Sequence, residues 1–454
     1  MKSQSRKAGN QFTEGVIWKQ LLLFFFPIVF GTFFQQIYNT ADTVVVGRFV
    51  GKEALAAVGG STSQIVNLVV GFFVGLSSGA SVVVAQFFGA RDEKNLKKTL
   101  HTAFAFAIAA GILIGAAGIC LAEPVLRAMN TPAEIVKDSM TYLHIYFGGL
   151  VFNLIYNIGA GILRAVGDSK RPLYVLMVTC LMNIVLDVAF VLLFHMGVAG
   201  VAIATVISQA ISAVLVTWML IRSGEIYRLS PLKIRFHKRQ MLSVLRIGCP
   251  AGLESVMYSI SNVAMQIFIN ALGTDTVAAW TTVGKIDAFY WMVINAFEIS
   301  VMTFVGQNYG AGKWDRMQKS VRVCMTMALV TAVGISGTMF LFRDPIFRIF
   351  TTDLSVISIG TGMLHFLLPS YPMYVIIGIL SGSLRGRGKV LVPMLFTCGG
   401  VCMLRILWLL TAVPAYPGAK TIMASYPISW GITGVLFVIY YFKKFKSGLP
   451  EGTN

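Results

Sequence analysis

The chain has 454 residues, of which 56% are apolar and only 12% charged, against roughly 45–50% and 25% in ordinary soluble domains. Mean hydropathy is +0.74 although the formal net charge is +18, so the charges are gathered into short segments between long apolar stretches. That excludes a soluble globular domain and a nucleic-acid binder, whose cations would line a polar fold, and it describes an integral membrane protein.

Twelve apolar runs approach or exceed the about 20 residues needed to cross a bilayer. The first, residues 17–46, follows Lys2, Arg6 and Lys7 but is too long for a signal peptide and lacks a small-residue cleavage site, so it is expected to stay in the mature protein. It carries Pro27 and a polar stripe of Gln35, Asn39 and Asp42 at i, i+4 and i+7. The next three run over 53–76, 96–121 and 136–158. Gly75-Leu-Ser-Ser-Gly79 has the spacing of a hydrolase nucleophile elbow at Ser77, but Gly71, Gly75 and Gly79 form a small-residue ridge for close helix approach, and we favour the ridge. The fifth run, 172–194, has a second polar stripe of Thr179, Asn183 and Asp187, and the sixth, 198–221, contains Thr205. On the seventh, 241–272, Glu254, Tyr258, Asn262 and Gln266 recur every four residues; on the eighth, 276–303, Asp287, Trp291, Ile294 and Glu298 share a face. The last four runs are 317–342, 356–380, 390–413 and 421–442.

Of the 37 Lys and Arg, 28 lie in the alternate segments that include the N-terminus and 7 in the others, with Lys285 and Arg405 inside runs. The positive-inside rule then places both termini in the cytoplasm and accounts for the basic loops without lipid or nucleic-acid recognition. The six cysteines read as small packing residues, and His101, His144, His195 and His365 as interfacial or packing residues.

The chain is also duplicated. Pro27 corresponds to Pro250, Val50-Gly-Lys-Glu-Ala-Leu-Ala-Ala57 to Leu272-Gly-Thr-Asp-Thr-Val-Ala-Ala279, Gln86-Phe-Phe-Gly-Ala90 to Gln307-Asn-Tyr-Gly-Ala311, and Leu163-Arg-Ala-Val-Gly167 to Leu384-Arg-Gly-Arg-Gly388. One register over a half-chain signals internal duplication. The expected fold is all-α, with twelve transmembrane helices in two pseudo-symmetric six-helix bundles, residues 1–225 and 226–454, as parallel repeats that give alternating access. No phosphate-cradling GxxxxGK[ST] loop occurs, so transport would draw on an ion gradient.

Five carboxylates fall inside runs: Asp42, Asp187, Glu254, Asp287 and Glu298. The second half can offset two of its three with Lys285 and Arg405, and pairing there is the plain alternative to a cavity that attracts organic cations through charge and cation-π contact. The first half has no such cation. Its two aspartates must be protonated, bind a metal cation or face water, and their hard oxygen and amide neighbours suit H⁺ or Na⁺. The plain alternative for Asp42 is a packing hydrogen bond, and for Pro27 the structural and hinge readings are equal.

These residues resemble the multidrug and toxic compound extrusion (MATE) family of prokaryotic type. The likeness rests on Tyr38-Asn-Thr-Ala-Asp42-Thr-Val-Val-Val-Gly47, the paired segments Gln86 to Ala90 and Gln307 to Ala311, and the paired Arg-x-x-Gly elements. The resemblance implies a secondary antiporter in a prokaryotic inner membrane, not an enzyme, exporting organic cations, drugs or metabolites in exchange for H⁺ or Na⁺. By match, the coupling site would be Asp42, Asn183, Asp187 and Thr205, with Pro27 at a bend and any Na⁺ at Asp42, Asn183 and Asp187. Some relatives use a seventh-helix Glu with a tenth-helix Asp, but here the tenth run offers Pro369, Ser370, Tyr371 and Pro372 and no acid. A substrate cavity would take Gln35, Asn39, Glu254, Tyr258, Asp287 and Trp291. No cofactor is expected beyond the coupling ion; the expected partners are small cationic or amphipathic molecules and membrane lipid, with no nucleic acid, and the chain is expected to act as a monomer. A lipid-linked precursor flippase and an intramembrane hydrolase using Ser77 are the alternatives.

Overall fold

The computed structural model describes residues 12–445. Among them all regular structure is helical, and each of the twelve predicted runs coincides with a helix or a bent helix pair. We number these α1 (Ile17–Val50), α2 (Lys52–Gly89), α3 (Glu93–Ala128), α4 (Ala133–Gly148 and Leu150–Ala165, bent by 49°), α5 (Lys170–Leu193) and α6 (Gly197–Ile221). They continue as α7 (Lys238–Asn270), then α8 (Thr274–Gly310), α9 (Trp314–Leu341), α10 (Leu354–Gly386), α11 (Leu391–Ala415) and α12 (Ala419–Lys443). Ten are long and apolar enough to cross a membrane, eleven with α4 taken as one span. The other, α7, is 33 residues long, about 50 Å at 1.5 Å per residue, but Lys238, Arg239, Arg246 and Glu254 make it more polar.

Local sequence sets several ends. Asp92 caps α3 by accepting the Asn95 backbone N–H, and Asp353 caps α10 through Ser355 and Val356. The duplication reappears as backbone geometry: the paired Gly51 and Gly273 have φ of 126° and 98°, and the paired Gly167 and Gly388 have 94° and 79°. These are conformations that side-chain-bearing residues rarely adopt.

Packing divides the chain into two units. The first is Phe26–Gly252 and the second combines residues 12–25 with 253–445. The passage between them thus falls inside α1 and α7, beside Pro27 and Pro250, whereas the loop at 222–237, where the sequence repeat divides, lies wholly in the first unit. In that unit a Cβ on Gly75 would meet Ala251 O at 2.6 Å, and one on Gly79 would meet Val244 O at 2.5 Å. The glycine ridge therefore lets the α2 and α7 backbones touch. Ser77 lies within uninterrupted helix in α2, which lacks the strand, turn and helix of a nucleophile elbow. In the second unit, Arg316 donates to the backbone carbonyls of Phe12, Glu14 and Gly15 at 2.7–2.9 Å, and Phe12 stacks on Phe304, fixing the lead-in to α1.

Candidate functional site

In the first unit, α5 is polar on its buried face and apolar on its exposed one. On α5, Asn183 and Asp187 are 0% exposed while Leu181 and Val185 are 63% and 66% exposed. That is the reverse of a helix in water, and it turns the carboxylate away from lipid. Asp42 on α1 and Thr205 on α6 are buried too. The Thr205 hydroxyl donates to Asp42 Oδ2 at 3.5 Å, a long bond, and Asp187 and Asn183 adjoin Asp42. The four residues predicted as a coupling site are thus brought together from three helices.

Three tyrosines complete this enclosure. Tyr38, one turn before Asp42, stands within reach of Asp42 and Thr205, and Tyr142 and Tyr146 on α4 surround the same point. Sequence reading missed their place; the available signal was the i, i+4 spacing of Tyr38 to Asp42 and of Tyr142 to Tyr146. Each acid is followed by a π-helical turn, Val46–Val50 after Asp42 and Ala189–Leu193 after Asp187, a wider coil that recurs at functional sites.

The decisive feature is electrostatic. Among the described residues, neither Asp42 nor Asp187 makes an ion pair. Asp42 Oδ1, both Asp187 oxygens, both Asn183 side-chain polar atoms and the Tyr38 hydroxyl are buried without a hydrogen-bond partner. Such groups are ordinarily satisfied, and each one left bare costs about 1–3 kcal/mol. Carboxylate, amide and hydroxyl oxygens form a hard donor set suited to Na⁺, and two close carboxylates equally suit a shared proton.

A pocket of about 100 Å³ adjoins this group, lined among others by Gln35, Tyr38, Thr179, Cys180, Ser208 and Gln209, room for a few waters. Of the predicted α1 stripe, Gln35 therefore faces the pocket, Asp42 is buried and Asn39 is exposed.

The second unit solves its charges differently. Glu254 pairs with Arg385, at 2.7 Å from Arg385 Nη2, and Glu298 stands within the field of the same guanidinium without pairing to it. Gly378 leaves the space that the Glu298 carboxyl fills. This corrects the expected partners: Lys285 is exposed, and Arg405 makes no ion pair among the described residues, lying instead 4.0 Å above the Tyr426 ring. Arg385 lies beyond the apolar run 356–380, one residue from the end of α10, and its long side chain reaches back to Glu254. Asp287 accepts from the Tyr371 hydroxyl, Tyr258 bonds Tyr374 at 3.1 Å, and Trp291 packs against Tyr371, Tyr374 and Trp430. Four of the predicted cavity residues thus lie in one acidic and aromatic network. Arg385→Met, which strands the buried Glu254 carboxylate, is expected to cost about 3–5 kcal/mol. Arg385→Met/Glu254→Gln should recover part of that in thermal unfolding in detergent.

The positions equivalent to Asp42 and Asp187 in the second unit are apolar, although the counterpart of Asn183 there is the buried Arg405. The buried positions of α5 recur 222 residues later on α11, Thr179 as Val401, Cys180 as Cys402, Asn183 as Arg405 and Asp187 as Leu409. Asp42 falls at Ala264 or Met265. Met265 and Leu409 belong to one hydrophobic cluster with Ile269, Val413 and Ile422. A six-helix unit of this kind therefore closes without the two acids.

The family model MatE matches twice, over residues 27–189 and again over 250–410, once in each half of the duplication. The chain belongs to the MATE family. This MATE protein is 29% identical to the probable multidrug resistance protein YoeA of Bacillus subtilis, over 83% of both chains. It is 26% identical to the probable multidrug resistance protein NorM of Thermotoga maritima, over 84% of this chain and 82% of that one. A protein of Shewanella oneidensis named FAD transporter is 24% identical over 92% and 93%. Among solved structures, an outward-facing multidrug resistance MATE family transporter superposes with a TM-score of 0.90 at 20% identity, covering 98% of this chain and 99% of that one. The chain is thus a MATE transporter and not an enzyme, with the MATE fold of two six-helix lobes.

Proposed function

We propose that this MATE transporter is an antiporter that exports small organic cations in exchange for H⁺ or Na⁺, with Asp42 and Asp187 holding the coupling ion beside Asn183 and Thr205. The observation that carries this reading is the buried carboxylate pair with orphaned oxygens and no basic partner among the described residues. A pair in that state needs a positive ion from outside the chain, and a site that takes and gives up a cation can couple transport to a gradient. Pro27, fifteen residues before Asp42, lacks the N–H that would bond one turn back, so α1 can bend there when the charge at Asp42 changes.

A cationic substrate is supported by the acids and aromatic rings around Asp287 and Trp291, which attract a lipophilic cation by charge and cation-π contact. A dinucleotide anion would meet Glu254, Asp287 and Glu298. The positive-inside count supports cytoplasmic termini, and the bacterial relatives support an inner-membrane location.

The test is efflux of a fluorescent organic cation in inside-out vesicles, with proton and sodium gradients imposed separately. One gradient should drive transport by the wild type, and Asp42→Asn should lose it by at least about 100-fold with normal membrane insertion. Driven transport at the wild-type rate in Asp42→Asn overturns the coupling assignment.

A further inference from the structure

Next to the first unit's lipid-facing helices is a second, larger cavity that the ion and substrate sites do not use. It has a volume of about 580 Å³ and is lined by Lys97, Lys98 and His101 of α3 and by Arg228, Ser230, Leu232, Lys233, Arg235 and His237 of the segment joining α6 to α7. We infer that this cleft binds the phosphate headgroup of an anionic phospholipid, held between Lys98, Lys233 and Arg235.

The positive-inside rule puts cations on one side of a membrane but does not fold them around a cavity. Here the loop is tied to α3 at both ends. The Ser230 N–H donates to His101 Nε2 at 3.1 Å while His101 Nδ1 donates to Lys97 O at 2.6 Å. The His237 N–H donates to the Thr102 hydroxyl at 3.2 Å, and Gln240 reaches Asn95 Oδ1 at 3.0 Å. Lys97 is matched by Glu93, and Arg228 bonds the Ile221 carbonyl. Lys98, Lys233 and Arg235 make no ion pair among the described residues, and no carboxylate lines the cleft. Their field is felt at His237, whose imidazole pKa is pushed down by desolvation and then by Arg235 and Lys98.

The rim selects a lipid over a soluble phosphate. Leu232 is 102% exposed and Phe236 55% exposed, each adjacent in sequence to a cation of the cleft. The cleft lies where α3 and α7 begin and α6 ends, the level at which headgroups stand if these helices cross the bilayer. Apolar tips beside unpaired cations at that level fit acyl chains below a phosphodiester.

The test is native mass spectrometry of the full chain in detergent with added phosphatidylglycerol, phosphatidylcholine or inorganic phosphate. The wild type should retain phosphatidylglycerol at least tenfold more than phosphatidylcholine. Lys98→Gln/Lys233→Gln/Arg235→Gln should lose that preference, while Lys19→Gln/Lys94→Gln/Lys170→Gln, three exposed cations outside the cleft, should stay within twofold of wild type. Leu232→Gln should lower retention about threefold without altering the cations. Equal retention by the two triple variants overturns the proposal, as does displacement of the lipid by millimolar inorganic phosphate, which would make the occupant a soluble anion. Asp42→Asn should bind the lipid as the wild type does, so failure here and failure of the coupling assignment are separable.

Discussion

Asp42→Met/Asp187→Leu, which writes the second unit's apolar arrangement into the first, is expected to abolish gradient-driven efflux and to leave the protein at least as stable as the wild type. An acid buried at a membrane centre costs about 2.5–3.5 kcal/mol on insertion scales, and apolar replacements of buried charge are often neutral or stabilising. Met265 and Leu409 show that the repeat packs well with such side chains. If the acids served only to pin helices by hydrogen bonds, the double variant would lose stability and keep its transport. Thermal unfolding and vesicle efflux on the same preparation separate the two roles, because stability and activity then move in opposite directions.

Asn183→Arg carries the second large effect. It copies Arg405 from the repeat and places a tethered guanidinium one turn from Asp187 and beside Asp42. A fixed cation would permanently offset one of the pair's two charges, as the single exchangeable ion does, so no ion need bind and none need leave, and driven transport should fall by at least about 100-fold. Asn183→Leu, with the same branched shape and no charge, is the control and should retain at least about a tenth of the rate, having lost one ligand only. Transport by Asn183→Arg at the level of Asn183→Leu would show that the charge state of the pair is irrelevant to coupling.

The membrane fold was legible because apolar runs are long and charges few, and the repeat because paired glycines and prolines keep one register. Asp42 and Asp187 stood out for the same reason: an acid within an apolar run is rare, and two without a nearby cation are rarer. Tyr38, Tyr142 and Tyr146 did not, since tyrosines are common in membrane helices as packing and interfacial residues and carry no charge to count. Arg385 was hidden by its position at a helix end, where a cation ordinarily reads as topology. The basic cleft was hidden by the same rule, because counting cations per loop says nothing about which of them fold around one cavity. The apolar counterpart of the acid pair needed structure: the repeat register already aligns Asn183 with Arg405 and Asp187 with Leu409, but only packing shows Met265 and Leu409 meeting in one hydrophobic cluster.

The most direct measurement is the number of monovalent cations held per purified molecule, read as protons taken up on back-titration and as radiolabelled sodium retained, for the wild type and for Asp42→Met/Asp187→Leu. The wild type should hold one cation more than the double variant, either H⁺ or Na⁺. Identical cation uptake by the two proteins would contradict the claim that this buried pair borrows its positive charge from outside the chain.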